Sequence, residues 1–239
     1  MTSYRTTLPP KPLGYKAYGS IPHLSGSRLG AGDHHVSAGQ DKICLVQARD
    51  KFDEIIVQEK LDGSCTAVAK LDGQILALSR SGYLATTSPY EQHQLFAHWV
   101  RLNAVVLYDV LEEGERLVGE WLAQAHSTRY VLPHEPWVAF DLMADAVRQP
   151  YDVMMNRLSG TGIITPRVLH RGGPLSIDDA VKAIQTSGHG AIDPVEGAVW
   201  HVERKGRVDF LAKYVRQDKA DGIYLPEISG QEAIWNWRP

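Results

Sequence analysis

Residues 54–79 read EIIVQEKLDGSCTAVAKLDGQILALS, and this stretch decides the fold. Ile55, Ile56 and Val57 lead to Lys60, and two further apolar runs, Thr66–Leu71 and Ile75–Ser79, are joined by Asp72-Gly73. Short β-branched and apolar runs form strands, and Asp-Gly suits a two-residue hairpin turn because both positions must take φ > 0. The pattern predicts a strand ending near Lys60 followed by a hairpin. Outward from it, Leu117–Trp121, Trp137–Leu142 and Ile163–Leu169 read as strands. Val195–Val202 and Val208–Val215 read as a closing pair around the polar Glu203–Gly206 connection. Ser88-Pro89-Tyr90-Glu91 has the pattern of an N-cap serine, proline at the first helical position and glutamate three after the cap. Leu95, Phe96, Trp99 and Val100 then recur at helical spacing, and Ser176–Gln185 repeats the capping pattern in a short helix. Hairpins with interspersed helices imply an α+β fold with largely antiparallel sheets flanked by helices.

The 239 residues, 44% of them hydrophobic, suffice for one sizeable core. Residues 1–50, rich in Gly, Pro, Ser and His, read as an irregular arm packed on a core domain spanning 51–239. No run approaches the roughly 18 apolar residues of a membrane span, and Met1–Lys11 lacks the apolar centre of a secretion signal. A cytoplasmic protein is expected, with Cys44 and Cys65 as reduced, buried thiols. The net charge of −3 lacks the basic signature of proteins that hold nucleic acid mainly by neutralising phosphates. Charge is nevertheless uneven, since Arg204, Lys205, Arg207, Lys213, Arg216 and Lys219 crowd one region.

A lysine closing an apolar strand, with Asp62-Gly63 just beyond it, is an unusual place for a long cation, although Lys-x-Asp-Gly alone reads more readily as a turn lysine facing water. The order and spacing of further motifs carry more. Ser79-Arg80-Ser81-Gly82 begins just short of twenty residues after Lys60, Gly119-Glu120-Trp121 follows, and Phe140-Asp141 comes twenty residues after Glu120. Val195-Glu196-Gly197-Ala198-Val199 and Phe210-Leu211-Ala212-Lys213-Tyr214 complete the set. Together with Glu59-Lys60-Leu61-Asp62-Gly63, these resemble the motifs of the covalent nucleotidyltransferase superfamily of ATP-dependent ligases and capping enzymes, over residues 54–216. The texture is most similar to RNA ligases of the phage nick-sealing branch.

The resemblance implies the nucleotidyltransferase (ligase adenylylation) fold and an ATP-dependent ligase that joins a 5′-phosphate end to a 3′-hydroxyl of RNA, with DNA as the alternative. It implies ATP as cofactor with Mg2+, or Mn2+ in its place. Lys60 would attack the α-phosphate and hold AMP, Glu120 would accept from a ribose hydroxyl, and Arg80 would contact ribose or phosphates. Phe140 would stack on adenine, Glu196 would hold the metal, and Lys213 would bind the α-phosphate. Glu59, in the nucleophile motif, joins this nucleotide-binding set. Gln58, two residues before Lys60, shares its strand face and could read the edge of adenine. Only a neutral amine is a nucleophile, and at a reference pKa near 10.4 freeing it at pH 7 costs about 4.6 kcal/mol. Lys213 and the metal would lower that cost, whereas Glu59, Glu120 and Glu196 would raise it.

Two departures stand out. Relatives often carry two lysines in the last motif, whereas here the first position is Leu211 and Arg216 is a candidate substitute. Only 26 residues follow Lys213, so no separate C-terminal domain is expected, and a protein partner or the arm would replace its substrate clamp. In the arm, His23, Arg28, His34, His35 and Lys42 beside Tyr15 and Tyr18 could touch nucleic acid; simple packing is the plainer reading, and metal binding by Asp33-His34-His35 has no visible third ligand site. The competing functions are a non-catalytic nucleotide- or RNA-binding module of the same fold and a guanylyltransferase.

Overall fold

The computed structural model describes residues 9–239. In chain order the strands are β1 (Asp53–Lys60), β2 (Ser64–Leu71), β3 (Gln74–Ser79), β4 (Glu115–Trp121), β5 (Trp137–Ala144), β6 (Val147–Arg148), β7 (Val168–Gly172), β8 (Gly197–Arg204) and β9 (Arg207–Val215). They form two sheets, of order β7-β1-β8-β9 and β3-β2-β4-β5-β6, with every strand pair antiparallel. The chain leaves the first sheet at Lys60, enters the second at Ser64, and returns to the first only at β7. The crossover is tight: a Cβ on Gly63 would lie 2.5 Å from the Trp121 carbonyl oxygen.

The helices are α1 (Ala38–Leu45), α2 (Glu91–Leu102), α3 (Ala104–Val110), α4 (Tyr151–Leu158), α5 (Ile177–Ala183) and α6 (Pro226–Ser229). Phe96 and Trp99 of α2 pack on Trp121 and Trp137 of the second sheet, with ring centroids 5.4–6.1 Å apart. Burying each such side chain contributes about 1.5–3 kcal/mol, which fixes the helical layer on that sheet. Leu24, Ile55, Val57, Trp200 and Ala180 form a second core on the first sheet.

The expected α+β architecture and the hairpin hold: Asp72 and Gly73 both have positive φ, at 50° and 68°. Three local expectations fail. The strand expected over Ile163–Leu169 begins only at Val168, because Pro166 has no N–H for a ladder. Helix α2 starts at Glu91 without a side-chain cap, since Ser88 Oγ lies 2.6 Å from His93 Nδ1. The stretch read as irregular contains α1, closed by a capping box between Ser37 and Gln40. Elsewhere in this stretch the backbone docks on β9, where Leu24 N donates to Lys213 O and Lys213 N to Pro22 O. Cys44 is buried and Cys65 half-buried, both free thiols. No helix among the described residues is long and apolar enough to cross a membrane.

Candidate active site

A cavity of about 660 Å³ is lined by both sheets and by residues 16–21. Strand β1 brings Gln58 and Lys60 to it, β4 brings Glu120, β5 Phe140, β9 Lys213, and the turn after β3 Arg80. Lys60 pairs with Gly197 across β1 and β8, which sets Glu196 beside the lysine. Only glycine fits there, because a Cβ on Gly197 would stand 1.9 Å from the Tyr214 carbonyl oxygen.

Lys60 Nζ lies 2.5 Å from Glu196 Oε2, with the two side chains 21% and 10% exposed. Burial alone would lower the lysine pKa, but Glu196, then Glu120 and Asp62, outweigh it and hold the value above that of an ordinary lysine. The carboxylates therefore win over the lowering influences in the nucleotide-free protein. Burial pushes Glu120 up to about 7 despite the attraction of Lys60, and its Oε1 accepts from Gly63 N at 3.0 Å. Glu196 is raised for the same reason. Lys213 is lowered, first by burial and then by Lys60.

The remaining members have partners within the protein. Arg80 Nη2 donates to Gly19 O and Ser20 Oγ, both at 3.1 Å. Phe140 meets Tyr18 edge-on with centroids 5.4 Å apart, and Tyr18 OH donates to Asp141 at 2.6 Å. Gln58 is buried, with Nε2 3.5 Å from Pro166 O.

Two expectations need correction. Glu59 borders the cavity, but its carboxylate accepts from Ser187 Oγ at 2.5 Å and Gly188 N at 2.8 Å, so it anchors the 187–188 loop, and the main carboxylate influences on Lys60 are Glu196, Glu120 and Asp62. Alternation along β1 sends it to the face opposite Lys60. Arg216 does not replace a second lysine, since its guanidinium pairs with Asp218 and lies outside the cavity lining. In the arm, Asp33 accepts from Gly30 N and lies 3.0 Å from His23 Nε2. No group of three His, Cys, Asp or Glu among the described residues suits a metal.

Sequence reasoning missed a further part of the cavity wall, formed by Asp62, Ser64, His93 and His126. Ser64 Oγ lies 2.9 Å from His93 Nε2, and His126 Nε2 3.1 Å from Gln92 Oε1. Burial lowers the pKa of both histidines. Only Asp62, inside the Lys-x-Asp-Gly string, carried a signal.

The family described as RNA ligase matches residues 53–215. The chain belongs to the RNA ligase family. Among solved structures, this RNA ligase family member is similar to a Naegleria gruberi RNA ligase with PPi, at TM-score 0.52 and 18% identity, covering 76% of this chain and 53% of that one. A substituted Naegleria gruberi RNA ligase with AMP and Mn gives 0.51 and 16%, covering 70% and 50%. An archaeal ATP-dependent RNA ligase gives 0.50 and 17%, covering 83% and 48%. The chain spans about half the length of these ligases, and at such identities the likeness establishes the fold. No curated protein sequence matches it.

Proposed function

We propose that this chain is an ATP-dependent RNA ligase in which Lys60 becomes covalently attached to AMP. The observation that carries the reading is Lys60 Nζ in a cavity between two sheets, ion-paired to Glu196 and backed by Glu120 and Lys213. That a similar structure is a ligase with AMP and Mn, and another one with PPi, supports a nucleotide ligand for this chain.

In the proposed first step, Lys60 Nζ attacks the α-phosphorus of ATP. A P–N bond forms, the bond from that phosphorus to the bridging oxygen breaks, and pyrophosphate leaves. The lysine proton has two buried carboxylates, Glu196 and Glu120, in the same cavity to go to. Lys213 holds the α-phosphate as a point charge, Arg80 binds ribose or phosphate, and Phe140 packs against adenine. AMP then passes to the 5′-phosphate of an RNA end, and a 3′-hydroxyl displaces it to seal the strand.

The residues present fit a Mg2+ or Mn2+ ion. Glu196 and Glu120 are carboxylates lining the cavity, both with pKa values raised by burial, and a bound cation would favour their ionised forms. Mg2+ typically needs only one or two carboxylates, taking other ligands from water and phosphate. Glu196 would hold it, and when bound the ion would neutralise charge on the phosphates.

Incubation with ATP and Mg2+ followed by intact-mass measurement tests the reading. Wild type is expected to gain one AMP, and Lys60→Ala none. No adduct on wild type, or one that survives in Lys60→Ala, would sink the mechanism. GTP in parallel checks the base, and 5′-phosphorylated RNA and DNA nicks assign the substrate.

A further inference from the structure

Three carboxylates act on Lys60: Glu196, Glu120 and Asp62. Strands β1 and β9 offer the cavity two lysines, Lys60 and Lys213, while Leu211, on the same face of β9 as Lys213, lines it without charge. Another lysine reaches the crossover from outside the sheets. Beyond β9 the chain turns back on the segment between β4 and β5, where Gly222 N donates to Ser127 Oγ at 2.5 Å and Tyr224 N to His126 O at 2.8 Å. This return carries Lys219, its side chain 7% exposed, to 2.7 Å from Asp62 Oδ2 and 3.0 Å from Thr128 Oγ1. Ser127 N donates to the same Oδ2 at 2.8 Å.

Both bonds to Asp62 fall on one oxygen, which leaves Oδ1 for the cavity that Asp62 lines. A lysine and an aspartate this sheltered gain little stability from pairing, because the cost of removing both charges from water offsets their attraction. Such a pair is better suited to fixing a geometry. We propose that Lys219 is a positioning residue for nucleotidyl transfer: it pins Oδ2 of Asp62 so that Oδ1 faces the surroundings of the Lys60 amine. The inference rests on the adenylylation reading above. Because Asp62 follows Lys60 by two residues and lines the same cavity, its misplacement acts on the rate of transfer more than on ATP capture.

The test is AMP-adduct formation against ATP concentration, followed by intact mass on the full chain, with thermal melting alongside. Lys219→Met is expected to lower the maximal rate about tenfold while the half-saturating ATP concentration stays within about twofold. Lys219→Arg is expected to restore most of the rate. Should Lys219→Met fail to fold because Asp62 is left buried and unpaired, Asp62→Asn is compared with Asp62→Asn/Lys219→Met, and the double variant is expected to be no slower. A wild-type rate in Lys219→Met, no recovery with arginine, or an additive loss in the double variant overturns the proposal. Absence of the adduct from wild type instead removes the adenylylation reading, and this inference with it.

Discussion

Strand β1 carries an ionic cluster at each end, and the two follow opposite rules. At Asp53 the carboxylate lies 2.8 Å from both Arg49 and Arg204, which reach on to Asp209 and Asp50, each at 2.6 Å. Burial would raise Asp53, yet the two guanidinium groups pull it down to about 2. Planar arginine forks matched to carboxylates leave little charge unanswered. At Lys60 the cations are lysines, the carboxylates are buried, and Glu120 is pushed up to about 7. One end has settled its charges internally. The other keeps carboxylates whose ionised form the protein itself does not fully stabilise.

The sharpest way to break this contrast is Glu196→Ala, which is expected to slow AMP-adduct formation about 10²-fold, read as an intact-mass time course. An unchanged rate would make the Glu196 carboxylate irrelevant to transfer. Next comes Glu120→Gln. With a folded pKa of about 7 against an unfolded value near 4.3, the folded state holds the extra proton, so stability falls as pH rises between those values, by about 1–3 kcal/mol. The variant should remove that fall in denaturant melts at pH 5 and pH 8; an equal fall in both proteins would assign it elsewhere. The smallest effect on catalysis is expected from Asp53→Ala, which should cost about 2 kcal/mol of stability at neutral pH and leave adduct formation normal. Because the Asp53 pKa is depressed, its contribution is present above the unfolded value near 3.9 and lost as pH falls toward 2. The gap between variant and wild type should close there, and a gap that persists would count against the ion pairs.

Much of this was legible in the sequence, for physical reasons. Strand periodicity and Asp72-Gly73 are local signals, so β1, β2 and β3 could be read directly, as could the cap at Ser176. Lys60, Arg80, Glu120, Phe140, Glu196 and Lys213 could be gathered because each sits in a short motif of fixed order, and all of them line the cavity. What escaped depends on partners distant in sequence. Ser88 meets His93 and lies two residues ahead of the N-cap, Tyr90. Glu59 turns to a loop more than a hundred residues away, and Lys219, read as one member of a basic cluster, is buried by a chain reversal that no periodicity announces. The box at Ser37 and Gln40 was readable, but the glycine-rich composition around it obscured it.

The crossover at Leu61-Asp62-Gly63 also dictates an order of folding. The second sheet, residues 64–148, is one uninterrupted excursion whose strands pair mostly with near neighbours in sequence. The first sheet must wait for β8, since the Lys60–Glu196 contact spans 136 residues. Loop closure of that length is slow relative to local hairpins. Pulse-labelled hydrogen exchange should therefore protect β2–β5 before β1 and β8; simultaneous protection would refute the sequence of events. During synthesis or refolding, the ends of the excursion meet last, and the chain acquires its reactive lysine environment only when the rest of the molecule is already in place.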